Sequence, residues 1–426
     1  MEPTAQIFGD ITVVELGQYI AAPYCAELLA HGGADVISIE PVDGGPTRHN
    51  SQVGTTGEGR QYVVKARGKR ALPIRLSTEE GTRIVRDLIR GADVLITNMR
   101  PGQATTLGLG WEQLHAEQPD LIFAEVNGFG DKGPLAEEAC VDIVAQAASG
   151  LMRSLGARDE GRSSPSDVMI ADYTAGTMLA FGVAAALRHR ERTGEGQRVA
   201  TSLMGACLTA QHRRANRFDD WDTWQYELAD RLAPGDGPGP GVDIEAVAVW
   251  RNEQIGIPPY FYNCFAVADG EVAVGAVAVN GPRLLTVAGL DPADLDGPAR
   301  LRGLTVGETT DLVAAHLAGR GADELVAELR SVGVPAAKVV FLEEALADPD
   351  LAAAGLLHQF DHARIGPTTM PAPPLSFSST TYEPANTTPA FGEHTDSLLR
   401  GLGYDDAVID QLVADGIVSR AVRTTT

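Results

Sequence analysis

The sequence has few cysteines and few histidines. Among 426 residues there are four cysteines and nine histidines, with no C-x-x-C pair, and His358 and His362 form the one H-x-x-x-H spacing. The four cysteines lie far apart, at Cys25, Cys140, Cys207 and Cys264. We therefore expect reduced, buried thiols, no redox pair and no metal.

Basic charge and long apolar runs are also scarce. Asp and Glu number 57 against 34 Lys and Arg, and the formal net charge is -23. Nucleic-acid binding depends on clustered cations, so no nucleic-acid partner is expected. No uninterrupted apolar run approaches the roughly 18 residues of a membrane-spanning helix. The opening stretch MEPTAQIFGD lacks the pattern of a secretory signal. These features predict a cytoplasmic protein without a membrane partner.

Apolar runs and helical patterns alternate in the first 130 residues. The run ITVVEL is followed by the helical pattern PYCAELLAHGG and the run ADVISIE. A second unit contains STEEGTRIVRDLIRG and ADVLITN, and LIFAEVNGF follows. This order predicts an α/β, Rossmann-like domain with a parallel sheet, which binds ligands beyond the C-terminal ends of its strands. Gly17 is followed by Ala21 and Ala22 and does not begin G-x-G-x-x-G, which disfavours a nicotinamide cofactor.

The remaining chain divides by composition. Residues 172–190 have a helical pattern rich in small side chains. Residues 213–258 hold three of the four tryptophans and are interpreted as a linker or insert, and the Pro and Gly residues of its run APGDGPGPG preclude regular structure in that run. Residues 259–345 are interpreted as a smaller α/β domain with a hairpin turn at Asp269-Gly270. Residues 346–426 end in the amphipathic helix DDAVIDQLVADGI.

Six stretches, taken in this order, resemble the class III CoA-transferase family, which includes formyl-CoA transferase, carnitine CoA-transferase and the 2-methylacyl-CoA racemases. The stretches are VVELGQYIAAPYCAELLAHGGADVISIEP, ADVLITNMRPGQATTLGLGWEQL, FAEVNGFGDKGPLAEEACVDIVAQAASGL, IADYTAGTMLAFGVAAALRHRERTGEGQRV, GVPAAKVVFLEEALADPDL and GEHTDSLLRGLGYDDAVIDQL. The resemblance implies an interlocked homodimer. Its large Rossmann-like domain would take residues 1–212 and 346–426, and its small domain residues 259–345.

The resemblance also implies a catalytic aspartate, and the matching position is Asp172 in IADYTAG. In the family this carboxylate attacks an acyl-CoA thioester, giving a mixed anhydride and then an aspartyl-CoA thioester that an acceptor acid attacks. Coenzyme A thus takes part as a substrate. Asp142 matches an acidic position that assists the transfer. From the residues alone, Asp172 is interpreted as a helix N-cap, and Asp142 as a capping or solvated acid.

The resemblance places the CoA contacts at strand ends and in the turns that follow them. The matching positions are Ile20, Ala21, Ile74, Leu76, Asn98 and Met99, with Arg75 and Arg100 as candidates for the CoA phosphates. The loop beside the acyl group would contain Gly128, Gly130 and Gly133. Both arginines can equally be ordinary surface residues, and the three glycines ordinary turn residues.

The sequence departs from the family pattern at two places. Thr106 stands where many relatives carry an arginine, so one phosphate contact is lost or supplied elsewhere. The glycine run that covers the active site of formyl-CoA transferase has no counterpart in YNCFAVADGEVAVGAVAVNG. This second departure argues against formyl-CoA and oxalate as the substrates.

Two alternative functions stay open. A 2-methylacyl-CoA racemase needs an acid and a base on opposite sides of the α-carbon, and such racemases carry a histidine where this chain has Val141. A non-catalytic CoA-binding protein would use the same fold with Asp172 as a helix cap. The identities of the CoA donor and the acceptor acid do not follow from the sequence.

Overall fold

Six parallel strands form the central sheet in the computed structural model, which describes residues 6–54, 56–155, 158–159, 162–212, 215–231, 247, 262–276, 279–296 and 300–421. The chain divides into two compact units, of which the first comprises Met1–Asn216 with Pro349–Thr426 and the second comprises Arg217–Asp348. The run APGDGPGPG, for which we predicted no regular structure, lies outside the described residues.

The strands of the described residues are numbered in chain order. They are β1 Thr12–Leu16, β2 Asp35–Pro41, β3 Arg70–Ile74, β4 Val94–Thr97, β5 Ile122–Asn127, β6 Arg158–Asp159, β7 Arg162–Ser163, β8 Arg198–Ser202, β9 Tyr262–Val267, β10 Gly270–Gly275, β11 Ala336–Lys338, β12 Leu357–His362 and β13 Gly366–Pro371.

The helices of the same residues are numbered likewise. They are α1 Ala21–His31, α2 Pro46–His49, α3 Arg60–Lys65, α4 Glu79–Arg90, α5 Gln103–Thr106, α6 Trp111–Glu117, α7 Asp142–Ala148, α8 Leu151–Ser154, α9 Ile170–Thr193, α10 Leu203–Ala210, α11 Thr223–Arg231, α12 Gly281–Val287, α13 Val306–Leu317, α14 Ala322–Ser331, α15 Leu342–Leu346, α16 Pro349–Ala353, α17 Thr395–Gly401 and α18 Asp406–Ala414.

The central sheet has the order β3-β2-β1-β4-β5-β8, and every neighbouring pair is parallel. The predicted α/β fold with a parallel sheet is thus confirmed. The strand order reverses direction between β1 and β4, and doubly wound sheets bind their ligands in the crevice at such a point.

Both faces of the sheet are covered by helices, which explains why its strands read as continuous apolar runs. Successive residues of β1 point to opposite faces, so Val13 packs into one core and Val14 into the other. The first core contains residues of α1 and α9, and the second contains residues of α4, α6, α17 and α18. Thr78 caps α4 by accepting a hydrogen bond from the backbone N–H of Gly81.

Helix α9 is the central helix of the first core. Among the described residues, α9 is the helix that is long and apolar enough to cross a membrane, judged by length and composition alone. Its Ala175, Leu179 and Val183 are fully buried in the first core, and Gly176 is buried against α1. These contacts are those of a core helix in a packed α/β unit.

The C-terminal part of the first unit closes the β3 edge of the sheet. The backbone N–H of Arg75 donates to the carbonyl of Ile417 at 2.8 Å, and that of Ser419 donates to the carbonyl of Pro73 at 3.2 Å. Buried charges also join this part to the N-terminal part. Glu58 accepts hydrogen bonds from Arg48 and Arg364, and Arg48 also donates to Glu40.

The second unit has its own antiparallel sheet of order β11-β10-β9 and its own core. Strands β9 and β10 form the predicted hairpin, in which Gly270 has a φ of 150°. Helices α12, α13 and α14 supply apolar side chains to this core.

Candidate active site

Asp172 lies in the first turn of α9 and is half-buried. The helix begins at Ile170 with Met169 in the N-cap position. The interpretation of Asp172 as an N-cap is therefore wrong, because its backbone is already helical and its side chain points elsewhere. The carboxylate accepts a hydrogen bond from the backbone N–H of Ala21. Ala21 is the first residue of α1, where backbone N–H groups lack helical partners and the helix dipole favours an anion.

Asp142 is the first residue of α7, is buried, and holds the backbone of Asp172. Its Oδ2 accepts a hydrogen bond from the Asp172 backbone N–H at 3.0 Å. Its Oδ1 accepts a hydrogen bond from the Gln146 side-chain amide, whose Oε1 accepts in turn from the Ser166 backbone N–H at 3.0 Å. Asp142 therefore ties the start of α9 to the start of α7.

The surroundings of Asp172 raise its pKa to about 6. Burial is the largest cause because it penalises the charged form, and the negative charge of Asp142 acts in the same direction. The N–H of Ala21 and the ammonium of Lys65 act in the opposite direction. A carboxylate of this kind is ionised at neutral pH but poorly solvated, which makes it a stronger nucleophile than an exposed aspartate.

The turn after β1 positions the Ala21 N–H. Tyr19 has a φ of 62°, in the left-handed region that residues other than glycine rarely adopt. Asn98, which follows β4, braces the turn by accepting from the Gln18 N–H at 2.8 Å and donating to the Gln18 carbonyl at 2.7 Å. These two bonds cross the point where the strand order reverses. Backbone strain held by such bonds is typical of functional sites.

Helix α9 packs closely against the start of α1. A Cβ on Gly176 would lie 2.6 Å from the carbonyl oxygen of Ala21, so a larger residue does not fit. The rings of Tyr24 and Tyr173 meet edge to face with centroids 4.9 Å apart on the same contact. This close packing brings Asp172 to the end of β1.

The predicted CoA contacts lie at strand ends of the same sheet edge, and their roles stay predictions. Ile20, Ala21 and Ile74 are buried, and Met99 packs against the second core. Arg75 donates from Nε to the Gly416 carbonyl at 2.8 Å, and Arg100 is exposed. Asn98 uses its side-chain amide for the Gln18 bonds described above.

The predicted glycine loop follows β5 directly. A Cβ on Gly128 would lie 2.4 Å from the Cβ of Cys140, while Gly130 and Gly133 have φ values of 99° and 86°. The backbone N–H of Gly130 donates to the Asn127 side chain at 2.7 Å. Close approach and positive φ explain these glycines structurally, and a role beside the acyl group stays a prediction.

Lys65 is a site residue that the sequence reasoning missed. It is 4% exposed, and its Nζ lies 5.6 Å from the ring centroid of Tyr173, the residue after Asp172. Burial lowers the pKa of Lys65 to about 8. The available signal was the run KARGKR, which contains two of the chain's four lysines.

No metal site is formed in the part of the chain that the structure describes. Among those residues, no group of three or more His, Cys, Asp or Glu side chains is placed to hold an ion. The expectation of a metal-free enzyme stays a prediction.

The chain is similar to known enzymes along nearly its whole length. The chain is 30% identical over 417 residues to succinyl-CoA--D-citramalate CoA-transferase of Chloroflexus aurantiacus, covering 94% of this chain and 96% of the relative. It is 29% identical to formyl-CoA:oxalate CoA-transferase of Escherichia coli, covering 93% and 94%. The fold and these relatives define an α/β enzyme that acts on acyl-CoA thioesters.

A family sequence model identifies the family, and solved structures share its fold. The sequence model of CoA-transferase family III matches residues 8–395. The chain belongs to CoA-transferase family III. A CaiB/BaiF family protein from Brucella suis superposes with a TM-score of 0.71 at 26% identity, covering 94% of this chain and 100% of that chain. A hypothetical protein from Mycobacterium tuberculosis shares the fold, with a TM-score of 0.73 at 24% identity, covering 92% and 99%.

Proposed function

We propose that the protein moves CoA from an acyl-CoA thioester to a carboxylic acid and that Asp172 is the nucleophile. The observation that carries the proposal is the setting of this carboxylate. It accepts from the Ala21 N–H at a helix start, its backbone is fixed by Asp142, and its pKa is raised to about 6. The names of both relatives cited above describe CoA transfer involving carboxylic acids.

The first half of the reaction forms an enzyme-bound thioester. A carboxylate oxygen of Asp172 attacks the thioester carbon, the C–S bond breaks, and the CoA thiolate leaves behind a mixed anhydride. The thiolate then attacks the Asp172 carbonyl carbon. The donor acid leaves as a carboxylate, and Asp172 carries CoA as a thioester.

The second half repeats these steps with the acceptor acid. The acceptor carboxylate attacks the Asp172 thioester carbon, and the thiolate is expelled as a new anhydride forms. The thiolate attacks the acceptor's carbonyl carbon, which releases the product acyl-CoA and restores the Asp172 carboxylate. No net proton is taken up or released, which suits a site built from carboxylates and backbone N–H groups.

Asp142 acts as a positioning residue in this proposal, because both of its oxygens accept hydrogen bonds from protein groups. It fixes the first turn of α9, and its negative charge keeps the pKa of Asp172 high. The Ala21 N–H favours the ionised form of Asp172, which is the form that attacks the thioester.

Trapping of the Asp172 thioester tests the proposal. The wild-type protein is incubated with a panel of acyl-CoA donors, and the Asp172 peptide is examined by mass spectrometry for a CoA adduct and, after hydroxylamine treatment, for a hydroxamate. Asp172→Ala is expected to lose exchange and adduct together, whereas Asp311→Asn, an exposed aspartate of α13, keeps both. Acyl exchange in Asp172→Ala would refute the proposal.

A chiral 2-methylacyl-CoA supplied without any acceptor acid separates transfer from racemisation. A transferase leaves its optical activity unchanged, because exchange requires a second acid. Loss of optical activity under these conditions would identify a racemase instead.

We also propose that the protein is a homodimer in the cytoplasm. Helices α7, α9 and α10 pack on one another and expose large apolar side chains, and a patch of this kind marks a protein interface. These side chains are Ile143, Val144, Met178, Phe181 and Leu208. The family resemblance makes a second copy the expected partner, and sedimentation of the full chain tests this. The four cysteines are free, which suits a reducing compartment. Cys25 and Cys207 are buried as expected, whereas the expectation is wrong for Cys140, which is partly exposed, and for Cys264, which is exposed.

A further inference from the structure

A group of five buried charged side chains lies between α1, α3 and the end of β1. Two carboxylates and three cations belong to it, and each is at most 5% exposed. The group consists of Glu15, Glu27, Lys65, Arg67 and Lys69. Buried charges are costly unless they are paired, so the pairing within this group is informative.

Two ion pairs use both carboxylates. Lys69 Nζ lies 2.7 Å from Glu15 Oε2, and Arg67 Nη2 lies 3.2 Å from Glu27 Oε1. His31 also approaches Glu27, but burial lowers its pKa to about 3, so its ring is neutral. Lys65 is the remaining cation, and it makes no hydrogen bond or ion pair with any of the described residues. Its Nζ lies 5.6 Å from the centroid of the Tyr173 ring, and the negative charges of Glu27 and Asp172 favour its ammonium form.

Lys65 lines a small cavity between the ends of β1 and β2. The cavity has a volume of about 50 Å³, room for a few waters or one small anionic group. Gln18, Tyr19 and Gln61 also line it. Of the acidic lining residues, Glu15 is paired with Lys69 and Glu40 with Arg48, so Lys65 carries the uncompensated charge.

The cavity is lined by residues of the turn after β1, and Asp172 is not among its lining residues. Gln18 and Tyr19 line the cavity, and Ala21, two residues further on, donates its N–H to the Asp172 carboxylate. Lys65 influences Asp172 electrostatically but does not hydrogen-bond to it. The Lys65 ammonium therefore does not contact the Asp172 carboxylate. A second charged group of a bound substrate would lie beside this ammonium.

We propose that Lys65 binds the distal carboxylate of a dicarboxylic acid acceptor and so selects dicarboxylic over monocarboxylic acids. The inference rests on the proposed function. Acylation of Asp172 removes a negative charge near Lys65, so the acceptor arrives when the ammonium most lacks a counter-ion. The reacting carboxylate of the acceptor attacks the Asp172 carbonyl carbon while the other carboxylate accepts hydrogen bonds from Lys65 Nζ.

The test compares succinate with butyrate, a monocarboxylic acid of the same chain length. The donor is the acyl-CoA found by the trapping experiment, and kcat/KM for each acceptor and KM for the donor are measured in wild type and in Lys65→Met. Wild type is expected to prefer succinate. Lys65→Met should lower the ratio of kcat/KM for succinate to that for butyrate by about 10- to 100-fold, the effect of losing a hydrogen bond to a charged group. A change in the pKa of Asp172 affects both acids equally and cancels in this ratio. Lys338→Met, on the exposed strand β11, is the matched control.

Measuring whether the CoA adduct forms on Asp172 in the absence of an acceptor acid distinguishes failure of the proposed function from failure of the Lys65 assignment. If wild type forms no Asp172 adduct, the proposed function fails. If wild type forms the adduct but shows no preference for succinate, or Lys65→Met keeps that preference, the assignment of Lys65 is overturned. Equal losses for succinate and butyrate, a higher donor KM or a lost adduct in Lys65→Met would overturn it as well, because Lys65 would then serve the donor, its CoA phosphates or the fold.

Discussion

At the scale of single residues, the chemistry depends on the Asp172 carboxylate, which is half-buried but ionised at neutral pH. Asp172 has one direct hydrogen-bond donor, the Ala21 N–H, and a like charge nearby in Asp142. An exposed aspartate is ionised above roughly pH 4. Asp172 becomes ionised about two pH units higher, because burial and Asp142 both favour its protonated form.

Adduct formation is therefore expected to depend on pH with a midpoint near 6. Only the ionised carboxylate attacks, so the rate falls about tenfold per pH unit below the midpoint. Asp142→Asn removes a negative charge and should move the midpoint to lower pH, while Lys65 and the Ala21 N–H still favour the ionised form. Pre-steady-state adduct formation from pH 4.5 to 8.5 measures this. A midpoint near 4 in wild type would contradict the assignment.

The sequence predicted Asp172 and Asp142 only through motifs, because their partners come from distant segments. Asp142 lies 30 residues from the backbone N–H that it accepts from, and Ala21 lies still further away. Lys65 was missed because an unpaired cation is recognised only after the pairs of its neighbours are known. Nothing in KARGKR distinguishes Lys65 from Lys69.

At the scale of elements, Gly176 sets the distance between α9 and α1. Gly176→Ala places a methyl group 2.6 Å from the Ala21 carbonyl, and neither backbone moves without disturbing the first core. We expect a loss of about 1–3 kcal/mol in the free energy of unfolding and slower adduct formation, because the Ala21 N–H shifts from Asp172.

Denaturant unfolding measures the first effect and adduct kinetics the second. Gly401→Ala is the control, since Gly401 ends α17 with no atom in the way of a Cβ. It should leave stability unchanged or slightly improved. Equal stability of both variants would show that the two helices are not in close contact at Gly176.

Most elements of the central sheet were predictable, since β1, β2, β4 and β5 are apolar runs between clear turn signals. The start of α9 could not be predicted, because Asp172 resembles an N-cap residue and Met169, which is the N-cap in the structure, makes no capping hydrogen bond with its side chain. The hairpin of β12 and β13 was also missed. Its strands carry polar and proline residues, which are atypical of strands.

At the scale of the whole molecule, buried ion pairs join parts of the first unit that are far apart in sequence. Glu58 bridges Arg48 and Arg364, and Arg364 lies 306 residues after Glu58 in the chain. Glu58→Gln leaves two cations without their shared carboxylate. It should cost about 1–3 kcal/mol of unfolding free energy, because hydrogen bonds to a charged group are lost while Arg48 keeps its pair with Glu40 and the Arg364 side chain is 33% exposed.

Thermal or denaturant unfolding measures this loss. Glu80→Gln, which removes an exposed carboxylate paired with Arg83, is the control and should change stability by less than about 1 kcal/mol. Similar effects of both variants would contradict a structural role for the bridge. The sequence could not predict this network, because the charged residues involved look like ordinary surface residues until the chain is folded.

The closure of the β3 edge by residues 417–419 affects the order in which the protein matures on the ribosome. Strand β3 and its neighbours emerge early, but the segment that pairs with Pro73 and Arg75 is synthesised more than 300 residues later. Until then the nascent sheet presents an open strand edge to other chains. Folding of the β3 edge is therefore completed only after residues 417–419 have been synthesised and released to pair with it.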